Sequence, residues 1–597
     1  MSHVFNSFLE DRAAYVDSLH TVDPSWLTME FRPPRERDFV EHLERFGASR
    51  PTDEATFRRH RPGVLSRIAQ YEGFGDDVAY YHGWLTEANL MTVRVPPDTS
   101  PGIRWSRLGY RTKKEALPLA LQECSEVIGE LEDGVGYRTP PCVPAGRGKL
   151  VDSFTDAETK QGRLILMPDL VRHLMGSITA KPYSKFVKRC DKRNGGSMIG
   201  MGPFSMWYDR LAGWIRGERE PKFLACFDFS GFDQTVPAFL LREVMAKIRR
   251  RFEPCRGSAA YWESEVRNLV DTHIAMPDGE VYLKSRGVAS GDPWTSQAGS
   301  LANWMMWETL FSAMGMDARV WTFGDDVLVA VYDSTPEDTF VDVSKRFMWD
   351  VFGMEVKASA SFTATALVIN GYPVENKSAS FLSNYFVQTH LYVAPTPSFE
   401  SLIKGLLYPE RNPESYDPLF NEHDNYDLER QRVSAYYLLY YHNGPARKVL
   451  ESYWNYLPDL SLEVNPYFDS GKIHQFLTFM DIPSSLFDEE WARRLPTDTE
   501  VKDLHLTGTL IKYSSSYRPV GSRTYSAEAR GVAHAIGGVI RTVARVKSVM
   551  HLRDLDHKRQ DQLLAVWDAA QDHRDTVNRL QQPSGIPVQL LRRPEYS

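Results

Sequence analysis

The clearest pattern in the chain is a change of texture near residue 221, where short apolar runs separated by Gly and Asp begin and continue to about 385. Phe223 to Phe229 (FLACFDF) is a mostly apolar run of strand length carrying Asp228 near its end, and Ser230-Gly231-Phe232-Asp233 then turns the chain. Ala318 to Tyr332 places two β-branched and aromatic runs on either side of Gly324-Asp325-Asp326, the pattern of a hairpin with a tight turn. Between these lies Lys284 to Trp304, where Asp292 suits a helix N-cap and Pro293 the first helical position. Ser290-Gly291 then reads as a flexible loop feeding a helix. Thr295, Gly299 and Asn303 fall four apart on one flank of that helix, with Ala298 and Ala302 beside them. Such a flank lets another backbone or a nucleic acid come close. Helix-to-strand packing explains its small residues but not its polar ones.

Elsewhere the pattern is coarser. Residues 1–95 mix short apolar runs with charged, Pro-containing stretches and read as an irregular extension draped over the body. Pro96 to Ile103 is a loop by composition and leads into Arg104, Arg107, Arg111, Lys113 and Lys114, ahead of a helix over 115–131. Pro395-Thr396-Pro397 marks a boundary, after which the chain is helix-rich. Its aromatic stripes, Tyr436 to Tyr441 and Tyr453 to Tyr456, read as packed core rather than a binding box. Residues 524–580 read as two further helices and Gln582 onward as a tail, for which a product channel is the expected place. The basic run Arg530, Arg541, Arg545 and Lys547 reads as a solvated helix face rather than an RNA contact.

Composition narrows the class. The 597 residues are 42% hydrophobic and 25% charged, with mean hydropathy −0.39, ordinary for a globular protein of several domain-sized units. No run of apolar residues is long enough for a spanning helix, and residues 1–11 lack the basic and apolar regions of a secretory signal. The five cysteines are scattered and never spaced as CxxC, so a disulfide framework and a zinc knuckle are not expected, and a reducing compartment is. Net charge is −8, yet between 145 and 195 eleven basic residues, among them Arg147, Lys149, Lys160 and Arg163, face five acids. Charge gathered in this way suggests a lining for polyphosphate or a nucleic-acid strand.

Asp228 and Asp233 alone are weak signals, as is a Gly-Asp-Asp turn. Together they are specific. Two apolar strands ending in acid place Asp228 and Asp325 side by side, and hard divalent cations prefer such oxygen ligands. A pair of cations there suits in-line phosphoryl displacement. No His or Cys cluster offers a competing centre.

With these residues in place, the chain resembles the viral RNA-dependent RNA polymerases of the right-hand palm family. Asp228 to Asp233 looks like motif A, Ser290-Gly291 with Thr295 and Asn303 like motif B, and Gly324-Asp325-Asp326 like motif C, in the right order and at suitable spacing. Thr99-Ser100-Pro101-Gly102 through Lys113 resembles the motif G region of partitivirus- and picobirnavirus-type enzymes, and Lys160 to Pro168 resembles motif F. Phe352 to Lys357 and Ser380 to Phe386 resemble motifs D and E. The resemblance covers about 96–390. It implies that Asp228 and Asp325 hold the metal ions (Mg²⁺, with Mn²⁺ as an alternative), with Asp326 supporting. Asp233 senses the ribose 2′-hydroxyl, and Lys160 and Arg163 grip the triphosphate. Ser290, Gly291 and Thr295 form a mobile loop and ribose contact. Lys357 protonates the leaving pyrophosphate, with Lys377 as its rival. Phe381 and Leu382 support the primer strand, while Ser100, Pro101, Gly102, Arg111, Lys113, Arg147 and Lys149 line the template channel. One departure is Gly299, where many relatives place Asn or Asp to hold the ribose-sensing aspartate. Asn303, one turn on, is the substitute assigned here.

The implied fold is α+β: a right hand of fingers (96–220 and 241–285), palm (221–240 and 286–390) with an antiparallel sheet, and helical thumb (391–520). An amino-terminal extension (1–95) and a carboxy-terminal extension and tail (521–597) complete it. The implied activity is template-directed RNA synthesis by two-metal-ion phosphoryl transfer, replicating and transcribing a viral RNA genome of the double-stranded RNA type. RNA, ribonucleoside triphosphates and a viral capsid protein are the expected partners, and the virion interior and host cytoplasm the expected location. A reverse transcriptase shares the palm but usually carries a bulky aromatic where Asp233 stands. A non-catalytic RNA-binding or capsid protein accounts for the basic window and aromatics but not for three acidic and small-residue motifs in order.

Overall fold

The apolar run at 223–227 is continuous rather than alternating because both of its faces are covered. The computed structural model describes residues 3–508 apart from 13–15, 17–21, 33–35, 74–80, 155–161, 218, 277–278, 372, 374–377, 410–421 and 458–493, together with 590–591. Lys160, Lys377, residues 524–580 with their basic run, and most of the tail lie outside the described residues.

The elements that position the site are, in chain order, β1 (Val143–Arg147), β2 (Arg163–Met167), α1 (Leu170–Arg189), β3 (Gly196–Ser197), β4 (Phe223–Phe227), α2 (Ser258–Val270), α3 (Thr295–Met314), β5 (Ala318–Phe323), β6 (Asp326–Val331), β7 (Phe362–Ala364), β8 (Ser380–Phe381) and β9 (Asn384–Gln388). The central sheet has the order β7-β4-β6-β5-β3. Side chains leave a strand on alternate faces. Phe223, Ala225, Phe227, Val327 and Val329 accordingly join one core with α3. Leu224, Cys226, Leu328 and Ala330 join a second with Tyr208, Phe381 and Phe386.

The sheet is mixed, which corrects the expected antiparallel one. β7, β4, β6 and β5 are antiparallel, but β3 runs parallel to β5, with Gly196 opposite Trp321 and Ser197 opposite Thr322. Two glycines permit this addition. A Cβ on Gly195 would stand 2.6 Å from the Val320 carbonyl oxygen, and one on Gly196 would stand 2.4 Å from the Tyr71 ring.

The amino-terminal region is not the irregular extension expected. It forms helices at His3–Arg12, Glu36–Gly47 and Glu54–Glu72. Phe5 and Phe8 pack on Tyr453 with ring centroids 4.8 and 5.0 Å apart, joining the chain's start to the helices after 398. Tyr437, Tyr440, Tyr441, Tyr453 and Trp454 are buried in that cluster, so the aromatic stripes are core. The expected helix at 115–131 spans Lys113–Glu132, with Thr112 accepting from the Glu115 N–H as its cap. Among the described residues no helix is long and apolar enough to cross a membrane.

Candidate active site

The register of β4 and β6 decides where the acids stand. Phe227 pairs with Val327, so the next step along the ladder sets Asp228 across from Asp326, with Asp325 at the adjoining turn. Phe323 pairs with Asp326, leaving Gly324 and Asp325 as a two-residue hairpin turn. Gly324 takes φ +62°, which a side chain would oppose.

That turn is held from α3. The Gly324 N–H donates to Ser300 Oγ at 2.7 Å, and Asn303 Nδ2 donates to the Gly324 carbonyl at 2.8 Å. The Ser300 carbonyl in turn accepts from Thr322 Oγ1 at 2.8 Å. A Cβ on Gly299 would lie 3.5 Å from Phe232 and 4.0 Å from Gly324 Cα, so a small residue suits the closeness of helix and turn. The polar flank read from the sequence is thus an anchor for the acidic turn. This corrects Asn303 as the partner of Asp233: it turns an amide N–H to Gly324 instead, its amide oxygen has no hydrogen-bond partner among the described residues, and the side chain is fully buried.

The four acids feel one another. Burial, then the charges of Asp325 and Asp228, raises Asp326 to about 7, although its Oδ2 accepts from the Leu382 N–H at 2.9 Å. Burial and Asp325 likewise raise Asp233 to about 7. Lys357 Nζ pairs with Asp228 Oδ2 at 2.6 Å, and the Lys357 N–H donates to the Asp228 carbonyl at 2.9 Å. Ser361 Oγ accepts from the Asp228 N–H at 3.2 Å. Lysine and aspartate are each about two-fifths exposed (43% and 37%), so a second cation can reach the carboxylate.

Among the described residues no three His, Cys, Asp or Glu side chains form a ready metal cage. Mg²⁺ does not ask for one. It binds through one or two carboxylates and fills its shell with water and substrate phosphate. Asp233 and Asp326, raised first by burial and then by the neighbouring acid charge, belong to a carboxylate donor set that a divalent cation would suit.

Other expected residues fall in several places. Ser290 is exposed on the loop before α3, and the Gly291 N–H donates to the Leu166 carbonyl at 3.2 Å. Thr295 Oγ1 donates to the Ala289 and Asp292 carbonyls, so its proton is engaged within the loop. The helix begins at Thr295 rather than at Pro293, and the Asp292 carboxylate accepts from both Arg172 and the Trp294 N–H. Arg163 lies on β2 opposite Arg147. Arg147, Lys149, Arg111 and Ser100 are exposed, and Lys113 is half-buried, its ammonium lowered by burial.

Three expectations are corrected. Pro101 and Gly102 are buried rather than lining a channel: the Pro101 carbonyl accepts from Leu170 N–H at 3.0 Å, and a Gly102 Cβ would lie 3.1 Å from Asp169 Cα. Phe381 is fully buried in the core behind the sheet rather than presented at the surface, and Leu382, in the turn after it, reaches the acids through its backbone. The basic window is not one lining, since Arg172 and Lys192 are buried, Lys192 Nζ donating to the Val187 carbonyl at 2.5 Å.

Sequence reasoning missed Ser300, Ser361 and the Leu382 N–H. Leu382 and Ser383 both take positive φ, 51° and 58°, a conformation that non-glycine residues adopt at a cost. Ser300 left a trace in the sequence only as one of several polar residues in a helix that is otherwise largely apolar.

Acids delivered by neighbouring strands to one end of a buried sheet, with an anchored glycine turn between them, define a class of phosphoryl-transfer site. Residues 155–448, just under half of the chain, match the family model described as viral RNA-dependent RNA polymerase. It is similar to the non-structural polyprotein 1AB of Human astrovirus-1, 30% identical over 193 residues, which is 31% of this chain and 12% of the polyprotein. The same polyprotein of Ovine astrovirus 1 is 22% identical over 288 residues, 45% of this chain and 20% of that one. The genome polyprotein of Pea seed-borne mosaic virus is 25% identical over 198 residues, 31% of this chain and 6% of that one. The chain thus corresponds to a minor part of these polyproteins.

Proposed function

We propose that this chain is a template-directed RNA polymerase that joins ribonucleoside triphosphates along an RNA template to copy a viral genome. The observation that carries the reading is the meeting of Asp228 with Asp325 and Asp326 across the β4–β6 ladder. Asp228, Asp325 and Asp326 would hold divalent cations, Mg²⁺ by preference. When bound, these supply charge neutralisation and activation of a 3′-hydroxyl. Ser300 and Asn303 keep the turn that bears Asp325 in place. Asp233 stands close enough to feel the charge of Asp325 and is the candidate for the ribose hydroxyl. Lys357 is the candidate proton donor to pyrophosphate.

The fingers, palm and thumb boundaries belong to this proposal. So does the nearer likeness to partitivirus- and picobirnavirus-type enzymes, hence a double-stranded RNA genome, which rests on residues 99–113; the relatives reported above come from other viruses. A capsid partner and a site of action in the virion interior and host cytoplasm follow from that likeness alone.

The test is incorporation of labelled ribonucleotide on an RNA template with Mg²⁺ or Mn²⁺. Asp325→Ala is expected to abolish incorporation while RNA binding is retained. Undiminished incorporation by that variant rules the site out.

A further inference from the structure

Arg172 stands on α1, five residues after β2 ends, and is almost wholly buried. Its guanidinium forks onto Asp292, Nε to Oδ2 at 2.7 Å and Nη2 to Oδ1 at 3.0 Å. Its remaining nitrogen, Nη1, lies 2.8 Å from both oxygens of Glu265 on α2. Glu265 also accepts from Trp294 Nε1 at 2.8 Å and from the Tyr137 hydroxyl, and Asp292 accepts from the Trp294 N–H at 3.0 Å.

Two further fastenings lie on the same loop. Gly291 donates to Leu166 of β2 so closely that a Cβ would stand 2.6 Å from the acceptor oxygen. Pro293 packs on Gly176, one turn along α1, where a Cβ would meet Pro293 Cγ at 2.9 Å. Residues 291–293 are thus pinned to the β2–α1 unit at three consecutive positions. One guanidinium against two buried carboxylates is not a balanced pair, and such groups contribute little to stability compared with apolar packing. What a planar fork provides is a fixed separation and angle.

We propose that Arg172 is a positioning residue: through Asp292 it fastens the loop carrying Ser290 to the strand carrying Arg163, so that the two flanks of the nucleotide site move as one body. This rests on the polymerase reading for its consequence, but the fastening is measurable without activity.

Asp292→Asn keeps the size of the side chain and leaves a neutral Arg172–Glu265 pair, so the fold is expected to hold. KM for the nucleotide is expected to rise about tenfold with a smaller change in kcat, and amide deuterium exchange over 288–294 to quicken. Arg172→Lys, which keeps the charge and loses the fork, is expected to do the same. Glu265→Gln removes an equal charge from the other arm and leaves the fork intact, so KM is expected to stay within about twofold. Equal KM in all variants overturns the proposal, as does a KM rise in Glu265→Gln matching that in Asp292→Asn, since a general loss of packing would explain it. If the wild-type chain proves inactive, the polymerase reading fails by itself. Unchanged exchange over 288–294 in Asp292→Asn overturns the fastening whatever the activity.

Discussion

Replacing Asn303 by Ala separates the stability of the fold from the placing of the acidic turn. The amide nitrogen donates to the Gly324 carbonyl at 2.8 Å, and the amide oxygen has no hydrogen-bond partner among the described residues. The lost bond contributes about 1 kcal/mol net, and the carbonyl left behind costs up to roughly 3 kcal/mol if it stays dry. Against this, the substitution removes a buried unpaired oxygen that itself costs about 1–3 kcal/mol. These opposing terms leave global stability between about 2 kcal/mol higher and about 3 kcal/mol lower, centred near no change. Gly324 would keep one of its two holds, from Ser300, and Asp325 follows it directly in the chain. A displacement of about 1 Å in a catalytic group can cost a hundredfold in rate. Urea unfolding and single-nucleotide incorporation on the same preparation measure the two quantities. The expected result is near-native stability with kcat lower by roughly a hundredfold and RNA affinity intact. A kcat within about threefold of wild type would falsify the view that α3 aims the turn.

Four more outcomes follow from the same geometry. Lys357→Met should lower incorporation on the order of a hundredfold if the amine is the general acid, and should tighten Mn²⁺ binding by freeing Asp228; weaker binding would contradict the pairing. Asp233 and Asp326, raised to about 7 from 3.8, bind protons in the folded chain that the unfolded chain has released between about pH 4 and 7. Stability from these groups should thus be greatest below that window and decline as pH rises through it, whereas divalent-cation affinity should increase; calorimetry at pH 6.5 in buffers of different ionisation enthalpy should detect released protons, and none would refute the shifts. Gly299→Ala should be tolerated and raise stability by about 0.5–1 kcal/mol, because the added methyl meets only ordinary contacts in a helix, and a drop in melting temperature would mean that helix and turn lie closer than described. Gly291→Ala has no such room, since the Leu166 carbonyl lies 2.6 Å from the new atom, and should quicken exchange over 288–294.

Much of the site was legible before any coordinates. Asp228, the Gly324-Asp325-Asp326 turn and the helix after Ser290 announce themselves through local chemistry: an apolar run ending in acid, a turn that needs a glycine, a loop followed by small residues. Each depends on a few neighbours in the chain. The aromatic stripes after 435 were legible for the same reason, because residues of that size at helical spacing must be buried.

What the chain order could not convey is pairing between distant segments. Nothing in Asn303 says that its donor will meet Gly324 rather than Asp233, because that depends on how α3 lies on β5 and β6. Phe381 reads as a surface contact until the second face of the sheet is seen to be covered. The parallel β3 required two glycines to lie beside Val320 and Tyr71, contacts spanning more than a hundred residues. Asp292 reads as a cap until Arg172, 120 residues away, is found forked onto it. By itself the sequence determined which residues carry the acid, the turn and the apolar faces, since those follow from short-range sterics and periodicity. Only the tertiary structure decided which buried donor meets which acceptor, because a desolvated polar group takes whatever partner packing brings within about 3 Å.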